Sequence, residues 1–162
     1  MRREPVTDAL EIRAYATTDR LPVVQLVTEV LAEHGFALTT GGIEQDLAEA
    51  HERYDGARAG FWVAVVDARV VGTVAVRPTT DGSCELKRLY LHPDLRGSGV
   101  GQRLYAHAEA FARGAGYGRI CIESSRRFAR AHKLYERNGF VLLEELENDW
   151  EDNVYEKRLA AP

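Results

Sequence analysis

The chain has 162 residues, and its 45% of apolar and 28% of charged residues are typical of one globular domain. Its longest unbroken apolar run, residues 61–66, is far shorter than the roughly 20 residues of a membrane-spanning helix, so we expect no membrane association. The net charge of −4 disfavours a nucleic-acid binder, and two widely separated cysteines, Cys84 and Cys121, favour a reduced, cytoplasmic protein over a secreted disulfide scaffold.

Hydrophobic periodicity divides the chain into helices and strands. Residues 1–10 show no periodicity and are expected to form a flexible N-terminal arm, which leaves 11–162 as a single domain. Thr18 and Asp19 are suited to capping the first helix, and Gly35 to ending it. The predicted elements are, in chain order, a strand at 11–15, a helix between Asp19 and Gly35, an acidic helix at 43–51, strands at 61–66, 70–76 and 84–91, a helix at 99–113, a strand at 119–123, a helix at 128–137, and strands at 140–146 and 153–159. This order, β-α-α-β-β-β-α-β-α-β-β, predicts an α/β domain with a mixed sheet.

Charge is distributed unevenly along the chain. The segment from Glu85 to Arg137 holds 11 Lys/Arg and 5 Asp/Glu, whereas the remainder holds 10 and 20. The basic segment is therefore expected to meet an anion. Two acidic segments lie outside it, residues 43–55 with five acids and residues 144–152 with six.

Three glycines alternate at a predicted strand-to-helix junction, in the sequence Arg96-Gly97-Ser98-Gly99-Val100-Gly101. Glycines let backbone N–H groups approach a phosphate closely, and the helix that follows adds N–H donors and the positive end of its dipole. Three other glycine-rich motifs do not fit: the dinucleotide fingerprint lacks its last glycine, the Walker loop lacks its Gly-Lys pair, and the nucleophile elbow needs glycines two residues from its serine. The junction therefore predicts a pyrophosphate-binding loop, and a glycine turn without a ligand is the alternative.

A second motif follows this loop, because Ala131 to Phe140 has the pattern A-x-x-L-Y-E-R-N-G-F. Together with the pattern R/Q-x-x-G-x-G/A starting at Arg96, it resembles the GNAT superfamily of acetyl-CoA-dependent N-acetyltransferases. The resemblance is close from Cys84 to Leu142 and extends loosely to the order of elements. It implies a GNAT fold, acetyl-CoA as the cosubstrate, and transfer of the acetyl group to a primary amine by direct attack on the thioester.

The resemblance also implies where the cosubstrate binds. Strand residues Leu89, Tyr90 and Leu91 would hold the pantetheine arm through their backbone. Backbone amides of the loop would bind the pyrophosphate, and the loop residues are Arg96, Gly97, Ser98, Gly99, Val100, Gly101 and Gln102. Many members carry Asn seven residues before the family tyrosine, where this chain has Phe128, so that side-chain contact is not carried over. Nearby cations either replace it at the phosphates or form a solvated helix face, namely Arg126, Arg127, Arg130 and Lys133.

The catalytic groups are implied in the same way. Tyr135 matches the tyrosine that protonates the leaving thiolate. Because an alkyl amine with a pKa of ~10.4 is mostly protonated at neutral pH, a carboxylate is needed to accept its proton. Glu123 matches the base of the branch that acetylates N-termini of ribosomal proteins, and Glu85 matches that of the histone-acetylating branch. We favour Glu123, with Glu85 as the alternative.

The expected acceptor is a cationic amine of a small molecule or peptide, because the two acidic segments lie where the acceptor enters the resembled fold. No metal is expected, since the five histidines form no ligand motif. Neither nucleic acid nor a membrane is expected as a partner, and a homodimer is an option. The alternative function is a catalytically silent GNAT-fold domain that binds CoA as a sensor or assembly module.

Overall fold

The structure is a computed structural model that describes residues 9–36 and 42–160. The strands are β1 (Leu10–Ala14), β2 (Gly60–Val66), β3 (Arg69–Pro78), β4 (Cys84–Leu91), β5 (Arg119–Ser125), β6 (Val141–Glu145) and β7 (Asp152–Arg158). The helices are α1 (Arg20–Glu33), α2 (Ile43–Ala48), α3 (Ala50–Arg53), α4 (Val100–Gly114) and α5 (Ala129–Arg137). The described strands form one seven-stranded sheet in the order β1-β2-β3-β4-β5-β7-β6. The predicted arm, residues 1–10, falls almost entirely outside the described residues.

Strands β4 and β5 are parallel neighbours near the centre of the sheet, and they pair only briefly. Cys84 pairs with Ile120 and Glu85 with Cys121, after which the described strands no longer pair. The other neighbouring strands pair in antiparallel fashion. The loss of pairing opens a cleft beyond Glu85 and Cys121, and the carboxyl ends of parallel strands are where α/β sheets commonly bind ligands.

Two hydrophobic cores cover the two faces of the sheet. One packs α4 against the sheet through Leu104 and Val74, and the other packs α1 and α2 through Val27, Ile43 and Ala75. Strand β3 contributes to both cores because neighbouring side chains of a strand point to opposite faces. Helices therefore flank the cleft between β4 and β5 from both faces.

The structure confirms the predicted order of elements, with two local differences. The predicted acidic helix at 43–51 is divided at Glu49 into α2 and α3. Asp19 is the N-cap residue of α1, as predicted, but its side chain makes no capping hydrogen bond to that helix. Its carboxylate instead accepts hydrogen bonds from the Arg13 guanidinium at 2.8 and 2.9 Å and from the Ala16 N–H at 2.9 Å. These bonds tie the end of β1 to the start of α1.

The turn between β2 and β3 holds two non-glycine residues in the left-handed region, Asp67 at φ +49° and Ala68 at φ +63°. Hairpin turns of this kind prefer glycine because a Cβ is strained there. We expect Ala68→Gly to raise the free energy of unfolding by about 1 kcal/mol, measured by urea denaturation. Ala110→Gly is the control, because Ala110 is exposed within α4 and glycine there should lower the free energy of unfolding by about 1 kcal/mol. A decrease in both variants would contradict strain at Ala68.

Candidate active site

Two adjoining cavities border β4, the first between β4 and β5 and the second between β4, the glycine-rich junction and α5. The first has a volume of about 460 Å³, and Glu85, Glu123 and Tyr135 are among its lining residues. The second has a volume of about 530 Å³ and is lined by much of the glycine-rich junction. Four residues line both cavities, namely Leu89, Tyr90, Phe128 and Ala131. A molecule bound along the junction can therefore extend to the carboxylates of the first cavity.

The glycine loop, residues 96–102, connects β4 to α4. Gly97 and Gly99 have φ values of +77° and +88°, a region that favours glycine, and a Cβ added at either position would meet open space. The N–H of Arg103 donates to the carbonyl of Gly99 at 3.1 Å and so begins the hydrogen bonding of α4. The two N–H groups just before Arg103 have no partner within the helix, and the helix dipole adds positive potential. This geometry fits a pyrophosphate.

Most of the residues predicted to bind the cosubstrate line the second cavity. The exceptions are Ser98, whose hydroxyl donates to the carbonyl of Leu95, and Val100, which is fully buried in the core beneath α4. The residues that line the cavity are Leu89, Tyr90, Leu91, Arg96, Gly97, Gly99, Gly101 and Gln102. Their role in binding stays a prediction.

Two of these residues use their side chains for internal contacts. The Arg96 guanidinium pairs with Glu33 of α1, with Nη2 lying 3.0 Å from Oε2, and this pairing lowers the pKa of the Glu33 carboxyl. The Gln102 amide exchanges hydrogen bonds with the Asn138 amide at 2.9 and 2.8 Å. A ligand at this loop would therefore meet backbone groups at these two positions.

The arginines and lysine near the start of α5 divide into two groups. Arg130 and Lys133 line the second cavity, as does Arg137, which the sequence did not single out. Arg126 donates to the carbonyls of Leu146 and Asp152, both at 3.3 Å, and so supports the hairpin between β6 and β7. Only part of the predicted cationic cluster thus faces the space where phosphates would bind.

Phe128 precedes α5 and separates the two cavities. Its ring centroid lies 4.7 Å from that of His34, 5.7 Å from that of Phe36 and 6.2 Å from that of Tyr90. The ring supplies an apolar wall at the position where many GNAT members have an Asn amide. Phe128 therefore packs against neighbouring rings at the position of that Asn.

Glu123 lies on β5 beyond the last residue that pairs with β4, and it lines the first cavity. Desolvation raises the pKa of its carboxyl, and the carboxyl of Asp152 raises it further. Lys87 acts in the opposite direction on this pKa. A carboxylate with a raised pKa is better matched to accepting a proton near neutral pH.

Glu85 lines the same cavity in a different environment. Its Oε2 lies 3.5 Å from Nε of Arg77, the residue opposite it on β3. Among the described residues, Glu123 forms no ion pair of this kind. The structure thus brings both candidate bases to one cavity, with Glu85 beside a cation and Glu123 hydrogen-bonded to the carboxyl of Asp152.

Tyr135 reaches the first cavity from α5, and only 3% of its surface is exposed. Burial raises the pKa of the Tyr135 phenol, the nearby Tyr90 raises it further, and a hydrogen bond with Ser124 lowers it. The phenol therefore keeps its proton at neutral pH, as a proton donor must. Its ring contacts three other rings, those of His132, Phe140 and Tyr155.

The first cavity also contains residues that the sequence did not assign individually. Trp150 lies in the hairpin between β6 and β7, and its ring centroid is 4.8 Å from that of Phe36. Asp152 was grouped with an acidic segment, and Arg88 was counted only as part of the basic segment. Trp150 has a sequence signal, because it is a lone aromatic residue among six acids.

Two classes of feature are not found in the described part of the chain. Residues 9–36 and 42–160 contain no group of three or more metal-ligating side chains. Among the helices in those ranges, none is long and apolar enough to cross a bilayer.

Replacing Gly99 by Val is expected to weaken CoA binding by about 10- to 100-fold, the cost of losing one or two charge-assisted hydrogen bonds. A β-branched residue at φ +88° would shift the backbone of the loop. Gly82→Val is the matched control, because Gly82 has φ +82°, has open space around it and lines neither cavity. Calorimetry should show lost CoA affinity in Gly99→Val alone. Equal affinity in the two folded variants would contradict the assignment of the loop.

Comparison with known sequences identifies relatives of the chain. The family described as the acetyltransferase (GNAT) domain matches residues 57–142. The Schizosaccharomyces pombe protein named "Uncharacterized N-acetyltransferase C1271.07c" is 31% identical over 137 residues, which cover 83% of each chain. The Xenopus tropicalis protein named "Probable N-acetyltransferase camello" is 36% identical over 110 residues, which cover 66% of this chain. That match spans about half, 49%, of the frog protein.

A solved structure shares the fold. Salmonella typhimurium yncA, solved with its cofactor acetyl-CoA, superposes with a TM-score of 0.73 at 19% sequence identity, and the match covers 94% of this chain and 95% of that one. The match to the GNAT domain over residues 57–142 includes the glycine loop before α4 and five strands of the seven-stranded sheet, β2 to β5 and the start of β6. The chain therefore belongs to the GNAT acetyltransferase family.

Proposed function

We propose that this chain transfers the acetyl group of acetyl-CoA to a primary amine by direct attack of the amine on the thioester. Family membership supports acetyl transfer, and the observation that carries the proposal is the adjacency of the two cavities. The loop that fits a pyrophosphate and the carboxylate of Glu123 border neighbouring cavities with shared walls. Bound acetyl-CoA would supply the activated acetyl group.

The residues of the first cavity have separate roles in this proposal. Glu123 accepts the proton of the amine, directly or through water, because its raised pKa suits a base. Tyr135 donates a proton to the thiolate that leaves, because its phenol is protonated at neutral pH. The backbone of Leu89 to Leu91 and the glycine loop hold the cosubstrate in place.

The acceptor is proposed to be a cationic amine. The two arginines that line the first cavity are each paired with a carboxylate, whereas Glu123 and Asp152 have no ion pair within the described residues. Lys87 also lines the cavity, and burial lowers the pKa of its ammonium group. The ring of Trp150 offers a further surface to a cation. The carboxylates of Glu123 and Asp152 and the ring of Trp150 favour a positively charged ligand, whereas the ammonium group of Lys87 acts against one.

The acidic segment 43–55 supports this attraction less than its composition suggests. Asp46 is fully buried, and Glu49 accepts a hydrogen bond from Nε of Arg53 at 2.8 Å. Neither carboxylate is therefore a free surface charge. We assign the attraction to Glu123 and to the acidic hairpin between β6 and β7.

The test is release of the CoA thiol from acetyl-CoA in the presence of amino acids, polyamines, aminoglycosides and peptides with free N-termini. At least one cationic amine should raise thiol release well above the amine-free blank and yield an N-acetylated product by mass spectrometry. If CoA binds by calorimetry and no amine raises thiol release, the chain is instead a silent CoA-binding module. Activity confined to anionic amines would contradict the proposed charge of the acceptor.

A further inference from the structure

Asp46, on the short helix α2, is a fully buried carboxylate with three hydrogen-bond donors. Oδ1 accepts from Nη1 of Arg53 at 2.9 Å, and Oδ2 accepts from the hydroxyl of Tyr54 at 2.7 Å and from Nε of Arg88 at 3.0 Å. Tyr54 is itself buried, with 7% of its surface exposed. A buried carboxylate that loses such donors carries a large desolvation penalty. The three donors therefore hold the positions of Arg53, Tyr54 and Arg88 around Asp46.

Arg88 is the residue of β4 at which the strand is kinked. Its φ is +56°, a left-handed conformation that is strained for a non-glycine residue. The register of β3 and β4 shifts between Thr73 and Ala75, so that β4 holds one extra residue. The hydroxyl of Thr73 donates to the carbonyl of Arg88 at 2.6 Å. Arg88 is therefore held by its side chain from α2 and by its carbonyl from β3.

The kink lies immediately before the part of β4 that faces the site. Leu89 and Tyr90 line both cavities, and Leu91 lines the second. Burial raises the pKa of the Tyr90 phenol, and the charge of Arg88 and a hydrogen bond with it act in the opposite direction, which places the guanidinium beside that phenol. The conformation at Arg88 therefore decides where the backbone of the next three residues lies.

We infer that Asp46 is a positioning residue that acts through Arg88, by fixing the kink in β4 that aims residues 89–91 at the pantetheine arm of the cosubstrate. This inference rests on the proposed function, since it assumes that the arm lies along β4. The acidic composition of helix α2 suggests that it attracts the acceptor. The inference instead gives α2 a role in placing the cosubstrate. Contacts across 42 residues of sequence thus connect the acceptor side of the molecule to the cosubstrate side.

The experiment compares calorimetric affinity for CoA with that for adenosine 3′,5′-bisphosphate, which lacks the pantetheine arm. Asp46→Asn should weaken CoA binding by about tenfold, equal to about 1.4 kcal/mol, and should change affinity for the nucleotide by less than about twofold. Glu49→Gln is the matched control, because Glu49 contacts Arg53 and not Arg88, and it should change neither affinity. A structural defect would instead weaken both ligands.

Arg88→Gly keeps the inference testable if Asp46→Asn does not fold. Glycine adopts a positive φ without strain, and Asp46 keeps its bonds to Arg53 and Tyr54. The variant therefore removes the restraint that α2 places on the kink, together with the contact between the guanidinium and Tyr90. The same selective loss of CoA affinity is expected. Unchanged CoA affinity, or equal loss for both ligands in a folded variant, would overturn the positioning role and leave the proposed function standing. Failure of the unmodified chain to bind CoA would overturn both.

Discussion

Replacing Glu123 by Gln is expected to lower kcat by about 10²- to 10⁴-fold, the usual contribution of a general base. Glutamine keeps the shape of the side chain and removes the proton acceptor. The effect should be measured with saturating acetyl-CoA and the most active amine, so that the proton-transfer step is observed. CoA affinity should be unchanged, because Glu123 lines the first cavity and not the second.

Glu85→Gln is the matched variant, because both residues line the first cavity and both changes remove one carboxylate. Glu85 is paired with Arg77, so we expect a higher KM for a cationic amine and a much smaller change in kcat. The rise in KM should shrink as salt is added, because long-range attraction is screened. If Glu85→Gln loses kcat and Glu123→Gln keeps it, the roles of the two residues are reversed.

The pH profile provides a separate test of Glu123. A base must be deprotonated, so the raised pKa of its carboxyl predicts an acid limb of kcat/KM above the ordinary range of glutamate. Asp152→Asn removes a carboxyl that raises this pKa, so the acid limb should move to lower pH. A limb that stays in place in Asp152→Asn would show that another group titrates.

Tyr135→Phe is expected to lower kcat by about 10²- to 10⁴-fold, because only the proton donor is removed. The phenylalanine ring can keep the contacts with His132, Phe140 and Tyr155, so stability and CoA affinity should change little. Tyr105→Phe is a control, since that hydroxyl donates to Glu109 of the same helix and lines neither cavity. A loss of less than threefold in Tyr135→Phe, where chemistry limits the rate, would assign Tyr135 to packing.

The parts of the site that could be predicted are those in which one residue type satisfies a local backbone requirement. Gly97 and Gly99 adopt positive φ values that few other residues tolerate, so the loop is visible as a pattern of glycines. The strands and helices around it have clear hydrophobic periodicity, and the structure confirms their order. Glu123 and Tyr135 were found through resemblance to a family, since a lone carboxylate or phenol has no local signature.

The contacts that could not be predicted join residues far apart in the sequence. In the sequence, Asp46 is one of several acids in a predicted acidic helix, and only the fold shows that it binds Arg88 on β4. The effect of Asp152 on Glu123 likewise depends on the pairing of β5 with β7. Side-chain pairings of this kind depend on tertiary structure, whereas periodicity and turn residues report only local preference.

Direct transfer inside one complex is tested by initial rates over a grid of acetyl-CoA and amine concentrations, with the mass of the protein measured after mixing with acetyl-CoA alone. The proposed mechanism predicts reciprocal plots that intersect, because both substrates must be bound in the adjoining cavities before the reaction, and a protein mass that is unchanged. Parallel plots with an acetyl group attached to the protein, for example at Cys121 beside the cleft, would indicate a covalent intermediate and contradict direct attack by the amine.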